Sequence, residues 1–200
     1  AGQKVKNIIF MIGDGMGANQ VYAGMTANGN KLNLEQCTYT GFHKTYSASD
    51  YITDSAAGGT ALACGQKTKN GMIGMSPDSV PIYSSMYAAQ QNGLATGFVV
   101  TCVVAHATPA AFYAHQPSRK MYEEIILDLI HNTPDIFIGG GRKHLENRSD
   151  SINLTDSLRK TGYQVAYNLE ELQSMKGSKI AGLLANGDMP DFSIRKDMLP

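Results

Sequence analysis

At 200 residues, 42% hydrophobic and 17% charged, the chain has an ordinary globular composition and is long enough to bury a substantial core. Its 17 basic and 17 acidic residues cancel, which argues against nucleic acid or an anionic membrane surface as the main partner. The longest apolar runs are strand-sized, so no membrane span is expected.

In chain order, residues 5–12 form the first apolar run, which ends in Gly13-Asp14-Gly15-Met16-Gly17. This predicts a buried strand, a sharp turn, and a helix over 18–27. Residues 28–33 read as a loop, and 39–47 as a strand leading towards Asp54. A helix is expected to start at Ser55, because Asp54-Ser55 supplies capping chemistry ahead of Ala-Ala-Gly-Gly-Thr-Ala. Residues 66–78, rich in Gly, Lys and Asn, read as a surface loop.

From there helices and strands alternate. Helices are expected at 84–91, 118–131, 154–160 and 169–175; strands at 95–100, 135–138, 163–166 and 179–185. Such alternation predicts an α/β fold: a mainly parallel sheet with helices on both faces. Sites in such sheets lie beyond the carboxyl ends of the strands, which is where Asp14, Asp54-Ser55, His106 and Thr108 fall. The three cysteines, Cys37, Cys64 and Cys102, form no Cys-x-x-Cys pair and read as mostly buried apolar residues. Asn147-Arg148-Ser149 and Asn153-Leu154-Thr155 are glycosylation sequons. The opening Ala-Gly-Gln, with no Met and no signal-like segment, suits a cleaved mature form or a trimmed chain.

Several residues point to chemistry. Ser55, at a helix N-terminus among small neighbours, is placed where backbone N–H groups and the helix dipole favour an anion. The alternative is a capping serine in a tightly packed helix. Asp14, between two glycines, suits a hard cation or a plain turn. Gly13 to Ala18 also fits the dinucleotide fingerprint G-x-G-x-x-A. Against it, Asp14 would set a negative charge beside the pyrophosphate, and residues 28–34 are too polar for the buried strand that should follow. His106 and Thr108, two apart in an extended loop, would face one side and could support a metal or its waters. Arg119 could offer a planar fork to two phosphate oxygens, or simply be a solvated side chain.

Three motifs in order resemble the alkaline phosphatases. They are Asn7-Ile-Ile-Phe-Met-Ile-Gly-Asp14-Gly-Met-Gly, Thr53-Asp54-Ser55-Ala-Ala-Gly-Gly-Thr60-Ala, and His106-Ala-Thr108-Pro-Ala-Ala-Phe-Tyr-Ala-His with Ser118-Arg119. Pro134-Asp-Ile-Phe-Ile-Gly-Gly-Gly141 and Leu183-Leu-Ala-Asn-Gly-Asp-Met-Pro190 carry the likeness through essentially the whole chain.

The resemblance implies hydrolysis of small phosphate monoesters with two zinc ions and one magnesium. It implies that Ser55 is the nucleophile on the second zinc, and that Asp14 bridges that zinc and the magnesium. Thr108 would touch magnesium, and His106 would occupy a position where some members have aspartate. Arg119 would clamp the phosphoryl oxygens, oriented by Asp54. An exported protein, periplasmic or extracellular, is implied, with a homodimer as a candidate assembly. Residues 1–200 would be the N-terminal part of a single domain, because the family's remaining ligands, an Asp-His-His set, an Asp-His pair and a Glu, lie downstream of Arg119. His131 and His144 stand in no Asp-His pair. The 200 residues by themselves are therefore expected neither to bind zinc stoichiometrically nor to turn over. Met121 stands where some bacterial members carry a disulfide cysteine, so that bridge is not expected here. Two other readings are a non-catalytic phosphate-binding module and a member of the wider phosphatase, phosphodiesterase and sulfatase group. The stretch after Asp54 lacks the Pro-x-Arg expected beside a sulfatase nucleophile.

Overall fold

The computed structural model describes residues 5–195, in two units that divide after Lys44. In the first, α1 (Ala18–Ala27) follows a turn in which the Met16 N–H donates to Gly13 O at 3.1 Å. Gly15 sits in that turn at φ +68°, a conformation that glycine adopts without penalty. A 3-10 turn spans Asn33–Gln36. Residues 5–12 and 39–47 are not strands, contrary to the sequence reading. Ile8 is 86% and Ile9 88% exposed, and among the described residues neither segment has a ladder partner. A run acquires strand geometry from ladder hydrogen bonds to neighbouring strands, and none of the described ladders includes either run. The strand-turn-helix context of a dinucleotide fingerprint is therefore absent from residues 5–18 as described.

The second unit is built on a four-stranded parallel sheet. Its strands are β1 (Gly97–Val103), β2 (Ile136–Gly140), β3 (Gln164–Ala166) and β4 (Ile180–Ala185), in the order β1-β2-β4-β3. Phe98 pairs with Phe137, and Phe137 with Ala181, which also pairs with Val165. Ala181 to Leu184 are consecutive and all buried, so both faces of β4 are covered. The helical connections are α3 (Ser85–Gln91), α4 (Ala107–Ala110), α5 (Tyr122–His131), α6 (Lys143–Glu146), α7 (Leu154–Lys160) and α8 (Leu169–Ser174).

Ile125, Ile126 and Leu129 of α5 are fully buried and share the core with Phe137, Leu145, Leu158 and Leu183. Burial of each such side chain contributes about 1.5–3 kcal/mol. The Asn153 side chain caps α7 by accepting from Thr155 N at 3.0 Å, which starts the helix at its expected residue. The carboxyl end of β2 has no room for a side chain. A Cβ on Gly140 would lie 2.0 Å from Gly187 O.

Four further readings differ from the structure by more than two residues. The helix expected from residue 118 starts at Tyr122, because residues 118–121 form a turn closed by Met121 N and Ser118 O at 3.1 Å. β1 runs on to Val103, and residues 107–110, read as loop, form α4. Residues 66–78 are not a surface loop: Thr68, Met72, Ile73, Gly74 and Met75 are buried. Ile73 pairs with Gln116 through two backbone hydrogen bonds of 2.9 and 3.0 Å, which draws the segment into the core.

Candidate active site

The helix that organises the site is α2 (Ser55–Cys64), with Asp54 as its N-cap. Oδ1 of Asp54 accepts from Ala57 N at 2.9 Å. Oδ2 accepts from Gly71 N at 3.0 Å and from Arg119 Nη1 at 3.2 Å. The carboxylate thus accepts from two backbone N–H groups and a guanidinium, which fixes the arginine against the start of the helix. Ser55 is the first residue of the helix, where the N–H groups point outward.

The run of small residues has a packing reason. A Cβ on Gly59 would meet Ala111 Cβ at 3.2 Å and Thr108 Cα at 3.5 Å. The glycine lets α2 approach α4, which brings the N-terminal ends of the two helices into one region. His106 is the N-cap of α4, and Thr108 lies inside its single turn. The extended spacing that would have pointed these two side chains the same way is therefore replaced by helical geometry. Arg119 Nη2 lies 3.3 Å from His106 Nε2. A guanidinium only donates, so in this contact Nε2 is the acceptor.

Asp54, Ser55, His106, Thr108 and Arg119 are brought together by α2, α4 and the turn before α5. Asp14 belongs to the first unit, in its Gly13–Gly15 turn, and is described there alone. The Asp54 and Arg119 side chains are about a quarter exposed, at 26% and 28%. Their pair therefore counts for orientation more than for stability. Farther along α2, burial pushes the Cys64 thiol up to about 11, so it stays protonated. Cys37 is exposed, unlike the buried residue expected, and no disulfide joins the three cysteines.

The sequence reading missed Asn70. Its Oδ1 accepts from Asp54 N at 3.1 Å, and its Nδ2 donates to Ile52 O at 2.9 Å. The signal was the Asn-Gly dipeptide at 70–71, a turn signature that was absorbed into a generic loop.

Among the described residues no three His, Cys, Asp or Glu side chains are grouped as a metal cluster. The chemistry of Ser55, Thr108 and His106, two hydroxyls and an imidazole, nevertheless suits part of a zinc or magnesium donor set.

A family model described as alkaline phosphatase matches residues 5–199. Alkaline phosphatase 4 of Bacillus subtilis is 37% identical over 98% of this chain and 46% of its own length. The structure of an alkaline phosphatase from the Antarctic bacterium TAB5 superposes with a TM-score of 0.86 at 34% identity, over 92% of this chain and 54% of that one. A variant of the same enzyme, with aspartate for a histidine and magnesium bound in its M3 site, superposes equally well at 32% identity over the same shares. The chain belongs to the alkaline phosphatase family. It spans about half the length of the curated relative it matches.

Proposed function

We propose that the chain carries the nucleophile and the phosphate clamp of a metal-dependent phosphate monoester hydrolase. The observation that carries this reading is Asp54, which caps the Ser55 helix and also grips Arg119 at 3.2 Å. One carboxylate thereby registers a hydroxyl at a helix N-terminus against a planar cation. Catalysis of phosphoryl transfer is mostly positioning and charge stabilisation, which such an arrangement supplies.

On this reading Arg119 donates to two phosphoryl oxygens, and the α2 N-terminus faces their charge. Ser55 Oγ gives up its proton and attacks phosphorus in line; its new P–O bond replaces the bond to the departing alcohol, which leaves with a proton. Water then attacks the phosphoserine, the P–Oγ bond breaks, and inorganic phosphate leaves with Ser55 restored. Ser55, Thr108 and His106 would help to hold the two zinc ions and one magnesium that the family resemblance implies. Such ions supply a lowered hydroxyl pKa and charge neutralisation when bound. His106 would be the magnesium-side variable, an imidazole where some members of the family have a carboxylate. Residues 1–200 would then be the N-terminal part of one phosphatase domain, exported to the periplasm or the extracellular space, with a homodimer as its candidate assembly.

The test is covalent trapping. In the natural polypeptide supplied with zinc and magnesium, acid quenching with labelled phosphate should leave label on Ser55, and Ser55→Ala should abolish both label and turnover of an aryl phosphate. Label on another residue, with Ser55 unmodified, would refute the assignment.

A further inference from the structure

We propose that Asn70 is a positioning residue for phosphoryl transfer, holding the Asp54-Ser55 junction and Arg119 in mutual register through the strip of residues 70–73. The inference rests on the roles given above to Ser55 and Arg119.

The strip touches both sides of the site. On the nucleophile side, Asn70 brackets Thr53 with two side-chain hydrogen bonds, to Ile52 O at 2.9 Å and from Asp54 N at 3.1 Å. Gly71 N then donates to Asp54 Oδ2 at 3.0 Å. On the clamp side, Gly71 O accepts from Arg119 N at 2.7 Å, and Ile73 exchanges two backbone hydrogen bonds with Gln116. Thr60, deeper in α2, anchors the far end by accepting from Gly74 N at 3.0 Å. Two consecutive residues therefore hold the Asp54 backbone, the Asp54 carboxylate and the Arg119 backbone at once.

Residue type matters at position 70. A primary amide is the small side chain that donates and accepts from one plane. Aspartate would lose the donor to Ile52 O and set a second carboxylate beside Asp54. Asn70 itself is half-buried, and its own N–H donates to Ser49 Oγ at 3.0 Å. The turn is completed by Gly71 at φ +86°, where a side chain would be strained. A turn asparagine with only a local role would need neither the Ile52 nor the Asp54 bond. Reach to both, with the Asp54–Arg119 pair one residue on, points to registration of the two functional groups.

The experiment compares Asn70→Ala, Arg119→Ala and the double variant in the natural polypeptide with zinc and magnesium. It reads kcat, KM, inhibition by inorganic phosphate, and melting temperature. Ser55→Ala runs alongside. Asn70→Ala should lower kcat/KM by about 10- to 100-fold and weaken phosphate inhibition, as small misplacements of reacting groups do. In the Arg119→Ala background the same change should cost less than about threefold, because the clamp it registers is gone. Equal losses in both backgrounds, or an Asn70→Ala enzyme within about twofold of the parent, would overturn the proposal. If Asn70→Ala does not accumulate folded, Asn70→Ser keeps a small polar turn residue and carries the same comparison, with the same two outcomes deciding it. Turnover that survives Ser55→Ala overturns the underlying assignment and the proposal with it. An inactive Ser55→Ala beside an undisturbed Asn70→Ala overturns the proposal alone.

Discussion

Two short apolar runs in this chain are nearly interchangeable on paper. Ile8-Ile-Phe-Met-Ile-Gly and Ile136-Phe-Ile-Gly-Gly both read as buried strands that end in glycine. The second is β2, hydrogen-bonded to β1 on one side and β4 on the other, with Phe137 fully buried. The first has no ladder among the described residues, and Ile8 and Ile9 are exposed. The difference is supplied by neighbours, since strand geometry leaves every other backbone group in need of a partner. Helices behave otherwise. In the same first unit α1 forms with no buried residue, because its hydrogen bonds are internal.

The comparison is broken most strongly by truncating each run. In the 200-residue chain Phe137→Ala should cost about 3–5 kcal/mol, as large-to-small changes in a packed core do. Ile9→Ala should stay within about 0.5 kcal/mol. Urea denaturation followed by circular dichroism reads both, and equal costs would mean that the first run is packed after all. A smaller contrast separates the two helix starts. Asp54→Ala removes the side-chain cap of α2 and should cost about 1–2 kcal/mol. Gln20→Ala removes only the Gln20 contact to Gly17 N at 3.1 Å and should cost no more than about 0.5 kcal/mol.

The smallest effect is pH-dependent and lies in the packed part. His144 stacks on Tyr122 with ring centroids 4.7 Å apart. Burial, then the neighbouring Lys143 charge, holds its pKa below the ordinary 6.5. Above 6.5 the ring is neutral folded or unfolded, so its contribution to stability is intact. As pH falls below 6.5 the unfolded chain takes up a proton that the folded ring resists, and that contribution is lost. The urea midpoint should therefore decline between pH 7.5 and 5, and His144→Phe, which keeps a stacked ring, should flatten that part of the decline.

Much of the second unit was legible because its signals are local. The bounds of α7 follow from Asn153 as cap and from Leu154 and Leu158 on one face. The alternation of strands and helices gave the parallel sheet. Asp54, Ser55 and Arg119 were legible as residues, but the 3.2 Å pair that joins them across 65 positions was not, because no periodicity encodes it. The 66–78 segment was misread for the same reason. Its Gly, Lys and Asn content suggests solvent, whereas its burial comes from bridges to Gln116 and Thr60. The α4 turn was hidden by Pro109 and by the strand before it.

The strand order has a consequence for synthesis. β3 leaves the ribosome before β4, yet in the described sheet its hydrogen-bonded neighbour is β4, which lies between β3 and β2. At translation rates of about 5–20 residues per second, β3 waits roughly one to four seconds for the strand that will hold it. During that interval α7, β3 and α8 are tethered to a growing two-stranded sheet without their edge contact. Among the described strands the last to emerge is thus the one that slots between two parts already made, and a pause just before Ile180 would prolong the interval in which β3 stands unpaired.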